Sequence, residues 1–413
     1  MDWNDKRGVT RAAMAVFSLL LCPPSVLRAA EWYLEPSISV IGQYDDNRFL
    51  RTDEDPRGKA SILGGQLSPV LAFGRRTETT DIRGVGRVDG IITDDQQDPD
   101  RIEALARFLT DYQTELSRWK FDARWRRDTT LRTDIVDPSF DEVQAPDSAD
   151  VQSPDLGLIT NVSLFFNRIT VVPNAQWVIG PRTTLDFEYR FDYVGYEDQQ
   201  EAELFGVFNS MRNTVIPSAT YRLSPKTQLS LVARYQRFDN DVDDFFNNYS
   251  AGLGVEHNFT ETLRGTLIAG PTYTENDQGD DFGAVVDASL QQQFRKSRLA
   301  TFFRYDVQPS TRGIPLQRAQ IDVRWLRDIT PRWAFEFASR AFRNDRLDDV
   351  TSGDDRYYAQ VEPAITWRAT RSLFVEATYR FRWERRDDTK DNAFSNAILL
   401  TLTYEWDRIS ASR

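Results

Sequence analysis

The chain has 413 residues and one cysteine, and 63 acidic residues outnumber 51 basic ones for a net charge of −12. That balance argues against nucleic acid as a partner, and a single thiol excludes a disulfide framework or a cysteine metal site. Mean hydropathy is −0.53, and no apolar run after the first thirty residues approaches the roughly 20 that a membrane helix needs, which excludes a helical membrane protein.

The first thirty residues read as a leader. Lys6, Arg7 and Arg11 form a basic start, Ala12–Leu21 is a short apolar run, and Ala29 and Ala30 are small. This is the pattern of a secretory signal peptide, with cleavage expected after Ala29 or Ala30. A lipoprotein reading of Leu20-Leu21-Cys22 is weakened by Leu21, because the residue before a lipidated cysteine is normally small. Export of a chain that loses Cys22 with its leader suits a bacterial envelope protein.

Residues 31–413 alternate with period two, the signature of strands with one apolar and one polar face. A first strand is expected near Tyr33–Tyr44. Further along, Trp119, Phe121, Ala123 and Trp125 alternate with Lys120, Asp122, Arg124 and Arg126. In Thr184–Tyr193 the apolar face is Leu185, Phe187, Tyr189, Phe191 and Tyr193. In Ser372–Glu384 it is Leu373, Val375, Ala377, Tyr379, Phe381 and Trp383, and the last strand alternates Ile398, Leu400, Leu402, Tyr404 and Trp406. The runs reach about ten to thirteen residues, where membrane strands need about 9–11 and ordinary strands peak near five or six.

Connections alternate between short and long. Short ones include 180–182, 224–226, 260–262, 295–297, 330–332 and 369–371; long, Asp-rich ones include 45–59, 239–247, 275–281 and 344–355. This is the outer-membrane pattern of short periplasmic turns and longer outer loops. The fold class expected is therefore all-β: a transmembrane antiparallel up-and-down β-barrel of about eighteen strands, with sixteen as the alternative even number. A long loop or insert at 128–166 interrupts the alternation, and could be an outer loop, a lumen constriction or a further hairpin.

Strands running down to short turns share an aromatic just before the turn: Phe73, Trp177, Tyr221, Phe259, Phe294, Trp325 and Trp367, with Trp406 near the C-terminus. They are expected to form an aromatic girdle at one membrane interface. Pro69, Pro173, Pro217 and Pro363 precede some of them by four residues. Proline deletes a ladder hydrogen bond, so these read as bulges near the interface. The roughly 35–44-residue spacing also resembles propeller blades, but each repeat holds two long strands rather than four short ones.

The polar faces carry both signs. The candidate lumen wall has Arg83, Arg87, Arg107, Arg124, Arg126, Arg190, Arg234, Arg304, Arg324, Arg340, Arg380 and Arg382. Its acidic members are Asp186, Glu188, Glu336 and Glu376, with Asp81, Asp89, Asp122, Asp192, Asp322 and Glu384. The plain reading is a salt-bridged filling that stiffens the barrel; the functional one is a hydrophilic path for sugars or ions, since barrels of this size enclose water. His257, the only histidine, shares a face with Leu253, Val255 and Phe259. It should face lipid, away from any nucleophile it could serve, so no catalytic residue and no enzyme activity is expected. Asp239, Asp241, Asp243 and Asp244 lack the Gly and distal Glu of an EF-hand loop, so no metal or other cofactor is assigned.

At Gln43-Tyr44-Asp45-Asp46-Asn47-Arg48-Phe49, and in the Leu-Ser-Pro-Lys-Thr turn at Leu223–Thr227, the chain resembles a family of outer-membrane β-barrel porins encoded at exopolysaccharide biosynthesis loci. The resemblance implies a channel assisting export or assembly of a surface exopolysaccharide in the Gram-negative outer membrane. Lipid, lipopolysaccharide, polysaccharide and periplasmic export components would be its partners. Two alternatives stand beside it: a passive porin for small hydrophilic solutes, and a structural barrel.

Overall fold

The computed structural model describes residues 30–55, 58–95, 100–130, 163–242, 245–276, 279–309, 315–347, 356–386 and 392–412. The leader, almost all of the 128–166 insert, and Asp243 and Asp244 lie outside them. Among the described residues the chain forms eighteen strands of 13–15 residues joined in sequence order. The first is β1 (Glu31–Asp45) and the last β18 (Asn392–Glu405), and β1 pairs antiparallel with both β2 (Ile62–Arg76) and β18. The sheet is thus a closed antiparallel barrel, which leaves no free edge between first and last strand.

A short strand, β19 (Ile409–Ser412), continues β18 along β1 with the register shifted by one residue. Asp407 and Arg408 together lie opposite Glu35, which is a β-bulge. Arg408 reaches back from it to Glu31 and Glu35, at 3.2 and 3.4 Å, and covers the Tyr33 ring. The bulge stitches the two ends of the barrel together.

Following the paired residues from strand to strand, and extending each register where a strand ends, returns to β1 about 22 residues further along. With standard strand spacing and rise, a shear of about 22 on eighteen strands gives a tilt of about 40° and a backbone radius of about 18 Å. Side chains from opposite walls cannot meet at that radius.

The prolines depart from expectation. Pro69, Pro173, Pro217 and Pro363 sit in the middle of β2, β6 (Phe165–Val178), β8 (Ser210–Ser224) and β16 (Arg356–Arg368). None makes a bulge. Each interrupts the ladder with the following strand for two residue pairs, after which pairing resumes in the same register. The missing N–H removes a hydrogen bond without adding a residue, so the wall keeps its register and loses contacts locally at mid-height.

Tilt also orders the aromatics. Phe73, Trp177, Tyr221, Phe259, Trp367 and Trp406 fall within about three residues of one level near the short turns, all well exposed on the outer face. Neighbouring rings meet edge-on or stacked, as in Trp119–Trp177 and Trp333–Trp367. Trp325 departs from the ring: it stands about two residues higher, is only half exposed, and packs edge-on against Phe335. A second belt, unforeseen from sequence, marks the long-loop end. There the hydroxyls of Tyr189, Tyr235 and Tyr379 donate to Asn213, Asn247 and Asn396 on the next strand, at 2.7, 3.0 and 2.6 Å. The indoles of Trp125 and Trp383 donate likewise to Asn167 and Asn392.

Candidate functional site: the lumen

The inner face is identified by contacts between strands that are not neighbours, which closure permits only through the interior. Arg234 on β9 (Thr227–Asn240) lies 3.7 Å from Asp287 on β12 (Gly279–Gln293) and 3.6 Å from Asp306 on β13 (Ser297–Pro309). All the sequence-predicted wall residues share this inward parity through the strand registers. His257 lies on the opposite, outer parity; its Nδ1 is 2.9 Å from Thr227 Oγ1, and its ring stands edge-on to Phe259.

The wall is tiled by ion pairs. Arg107 pairs with Asp122 at 2.7 Å, Arg190 with Glu188 at 3.2 Å, Arg304 with Asp287 at 2.9 Å, Arg340 with Asp322 at 2.6 Å and Arg324 with Glu336 at 3.0 Å. Arg87 faces Asp89, Arg83 pairs with Asp81, and Arg124 approaches Asp122. Arg126 lies near Asp128, and Arg380 pairs with Glu362. Glu376 accepts from Thr366 and Thr378, and Asp186 from Asn174. Arg168 and Arg212 flank Asp192 at 3.1 and 2.7 Å, and Arg356 pairs with Glu384. Sequence reading missed Arg168, Arg212, Arg356, Glu362, Asp287 and Asp306, although extending the same alternation along each strand would have found them. The inward positions of β10 (Phe245–Asn258) and β11 (Leu263–Asn276) are nearly uncharged, with Gly252, Gly254, Gly270, Thr272 and Thr274.

Burial grades along the axis. Towards the short turns the side chains of Arg324 and Glu336 are 29% and 27% exposed; towards the long loops those of Arg382 and Asp45 are 1% and 3% exposed. Three segments fold inward at that end. The first follows β1. Asp45 accepts from Arg382 and Ser395, each at 2.7 Å. Asn47 receives the Arg51 N–H and donates to the Arg51 and Phe394 carbonyls. Leu50, held at φ 47° in a left-handed conformation, is thereby driven against Tyr358, Ala393 and Phe342. The Tyr-Asp-Asp-Asn stretch is thus the lock that turns this loop into the lumen.

The second is the β7–β8 connection, between β7 (Thr183–Tyr196) and β8. Its helix α1 (Gln199–Leu204) is N-capped by Asp198. Ala202 and Val207 pack on Leu164, Phe166, Val194 and Tyr196. Glu197 anchors the start of this loop on the outer side, accepting from Arg127 Nε and Nη2 at 2.6 and 2.8 Å. Those hydrogen bonds, the largest influence on its carboxyl, hold it below the usual glutamate range.

The third is the upper end of the hairpin of β13 and β14 (Pro315–Asp328). Val307 has the outward parity of Phe303 and Tyr305, yet packs against Phe238 and Phe246, whose parity is inward. It can do so only if the hairpin end has moved inside the wall. Arg212 on β8 then reaches Gln308 at 3.5 Å. The 128–166 insert, read from sequence as an outer loop, a lumen constriction or a further hairpin, lies almost wholly outside the described residues; this inward turn, flanked by Pro309 and Pro315, is a separate one.

The lumen is therefore a wide, charge-paired vestibule at the short-turn end, narrowed by three infolded segments at the other. An isolated charge entering such an arrangement must compete with ion pairs already formed.

No family model matches the chain, and no curated protein sequence does. Among solved structures it is similar to OccAB3 of Acinetobacter baumannii, at 10% identity and a TM-score of 0.46 over 92% of this chain and 99% of that one. It is also similar to OccK9 of Pseudomonas aeruginosa, at 9% identity and a TM-score of 0.48 over 91% and 98%. A third is the outer membrane protein opdK of Pseudomonas aeruginosa, at 11% identity and a TM-score of 0.43 over 90% and 99%. Likeness at that level transfers no residue role.

Proposed function

We propose that this chain, once its leader is removed, is an outer-membrane channel that passes small hydrophilic solutes selectively. The observation that supports this most is the combination of an apolar outer face with a charge-paired lumen that is wide at one end and narrowed at the other. Barrels of sixteen to eighteen strands generally leave an aqueous path, and the infolded segments limit what uses it. Lipid and lipopolysaccharide would contact the outer belts, with the short turns in the periplasm.

The exopolysaccharide reading rests on the resemblance at Gln43–Phe49 and in the Leu223–Thr227 turn. The first segment already has a structural task, the lock around Asp45 and Asn47, and the second is a short turn between β8 and β9, so the channel reading is preferred. Purified protein in planar bilayers should give small, discrete conductance steps, and vesicles carrying it should admit small sugars and amino acids unequally. A vesicle wall tight to every solute would move the answer to a structural barrel. Loss of surface polysaccharide in a deletion strain with unchanged solute uptake would restore the export reading.

A further inference from the structure

One arginine crosses the wall rather than pairing along it. Arg234 on β9 reaches Asp287 on β12 and Asp306 on β13, 3.7 and 3.6 Å away, past the two strands between. Once shear is allowed for, the inward residues level with that span are Gly252 on β10 and Gly270 on β11. A Cβ on Gly252 would lie 3.0 Å from Ile268 Cγ2, and one on Gly270 would run into the Ala251 carbonyl. Glycine within a strand marks such a close approach, and here it leaves a shallow floor along which the Arg234 side chain lies. Towards the short turns Ser230, Val232, Gly254, Thr266, Ile268 and Ser289 continue the floor without charge, down to the Glu256–Arg264 pair.

The cluster at the top of this floor is balanced in charge but not in hydrogen bonds. Arg234 and Arg304 face Asp287 and Asp306, and among these four side chains only Arg304 donates to Asp287, at 2.9 Å. Both Arg234 contacts exceed hydrogen-bond length, and its side chain is 21% exposed beside an Asp287 that is 30% exposed. Asp306 Oδ1 and Arg304 Nη1 are buried with no hydrogen-bond partner among the described residues. The β13–β14 end closes the cluster from above: pairing of β12 with β13 stops at Val286–Tyr305, and Gln317 Oε1 lies 3.5 Å from the place a Cβ on Gly283 would take. The open approach is from the short-turn side, along the uncharged floor.

We propose that this cluster is a lumen binding site for a neutral polyhydroxylated solute, a mono- or disaccharide. A hydroxyl accepts and donates at once, so one can accept from Arg234 and donate to Asp287, filling a gap too wide for a direct bond. The C–H face of the sugar ring would lie on Ile268 and the glycine floor. An anion gains Arg234 but meets Asp287 and Asp306, and a cation meets the reverse, so the balanced cluster favours neither. The ammonium of a zwitterion would compete with Arg304 for Asp287. This names the solute class of the channel proposed above and rests on that reading.

The test measures entry of radiolabelled glucose, gluconate, glucosamine and glutamine, close in size, into vesicles carrying the purified protein in KCl buffer at mildly acidic pH, where glucosamine is cationic. Glucose entry should saturate with concentration and exceed that of the other three several-fold. Arg234→Lys keeps the charge but loses the planar donor fork, and Ser250→Leu fills the floor beside Arg234 in the ladder. Each should raise the half-saturating glucose concentration several-fold with KCl conductance little changed. Ser39→Leu, on an uncharged stretch of β1 that no arginine crosses, should leave it unmoved. Entry linear in concentration, a charged or zwitterionic solute entering as fast as glucose, or half-saturation unmoved by both variants overturns the site while the channel reading stands. The four-solute comparison needs no variant, so it decides the matter even where a variant fails to fold. Vesicles tight to ions and to all four solutes overturn the channel reading, and the site with it.

Discussion

Replacing Arg382 by Met should open the long-loop end of the lumen. The guanidinium is 1% exposed and donates to Asp45 at 2.7 Å, Ser395 at 2.9 Å and the Arg48 carbonyl at 3.2 Å. Hydrogen bonds to charged groups contribute roughly 1.5–3 kcal/mol each, and removing one member of a buried ion pair costs about 3–5 kcal/mol because the other charge is stranded. Against that, burying Leu50 contributes about 1.5–3 kcal/mol. That is too little to keep the loop after β1 docked over an Asp45 that has lost its direct ion pair and keeps only the Ser395 and Asn47 hydrogen bonds and the more distant Arg48 charge. The barrel itself keeps its ladders, so the loss is local: residues 46–51 should undock while the protein still folds. Amide hydrogen exchange would show lost protection at Asn47–Arg51, and single-channel conductance should rise. Adding Asp45→Asn should restore part of the protection, since it removes the carboxylate that has lost Arg382 while Arg48, also buried beside it, keeps its charge. Unchanged exchange at Asn47–Arg51 in the single variant would refute the lock; protection restored without any fall in conductance would separate the lock from the constriction.

Other expectations test the wall and its rim. Leu231→Arg on the outer face should destabilise the membrane-embedded protein by about 2–4 kcal/mol, and Ser230→Arg on the inner face by clearly less; equal losses in denaturant titration would contradict the parity. Pro217→Val should return a backbone donor to the β8–β9 ladder and raise stability by about 1 kcal/mol, read as a higher denaturation midpoint. Glu197, whose carboxyl is held below its ordinary range by Arg127, contributes stability above the unfolded-state pKa of about 4.3 that is lost as pH falls through the lowered folded value. Exchange protection at the start of the β7–β8 loop should therefore decline on acidification below that range, and Glu197→Gln should abolish the dependence.

What sequence alone determined is what a two-residue backbone period and local turn chemistry can carry. The inner and outer faces, the number of strands, and the aromatic residues near the short turns all follow from alternation, since each side chain's direction depends only on its immediate neighbours along the chain. Even so, alternation misjudged the prolines, whose effect depends on whether the missing donor faced a partner strand, and the height of Trp325, which depends on tilt. The tertiary structure decided which charges meet and which segments fold inward. Arg382 and Asp45 are 337 residues apart, and Arg212 and Gln308 are 96 apart; closure and shear bring them together, and neither is written in a local pattern. The departure of the β13–β14 hairpin from β12 belongs to the same class. Its strands alternate like the others, and only the apolar contacts of Val307 across the lumen, together with the room left by Gly283, outweigh the few ladder bonds it gives up.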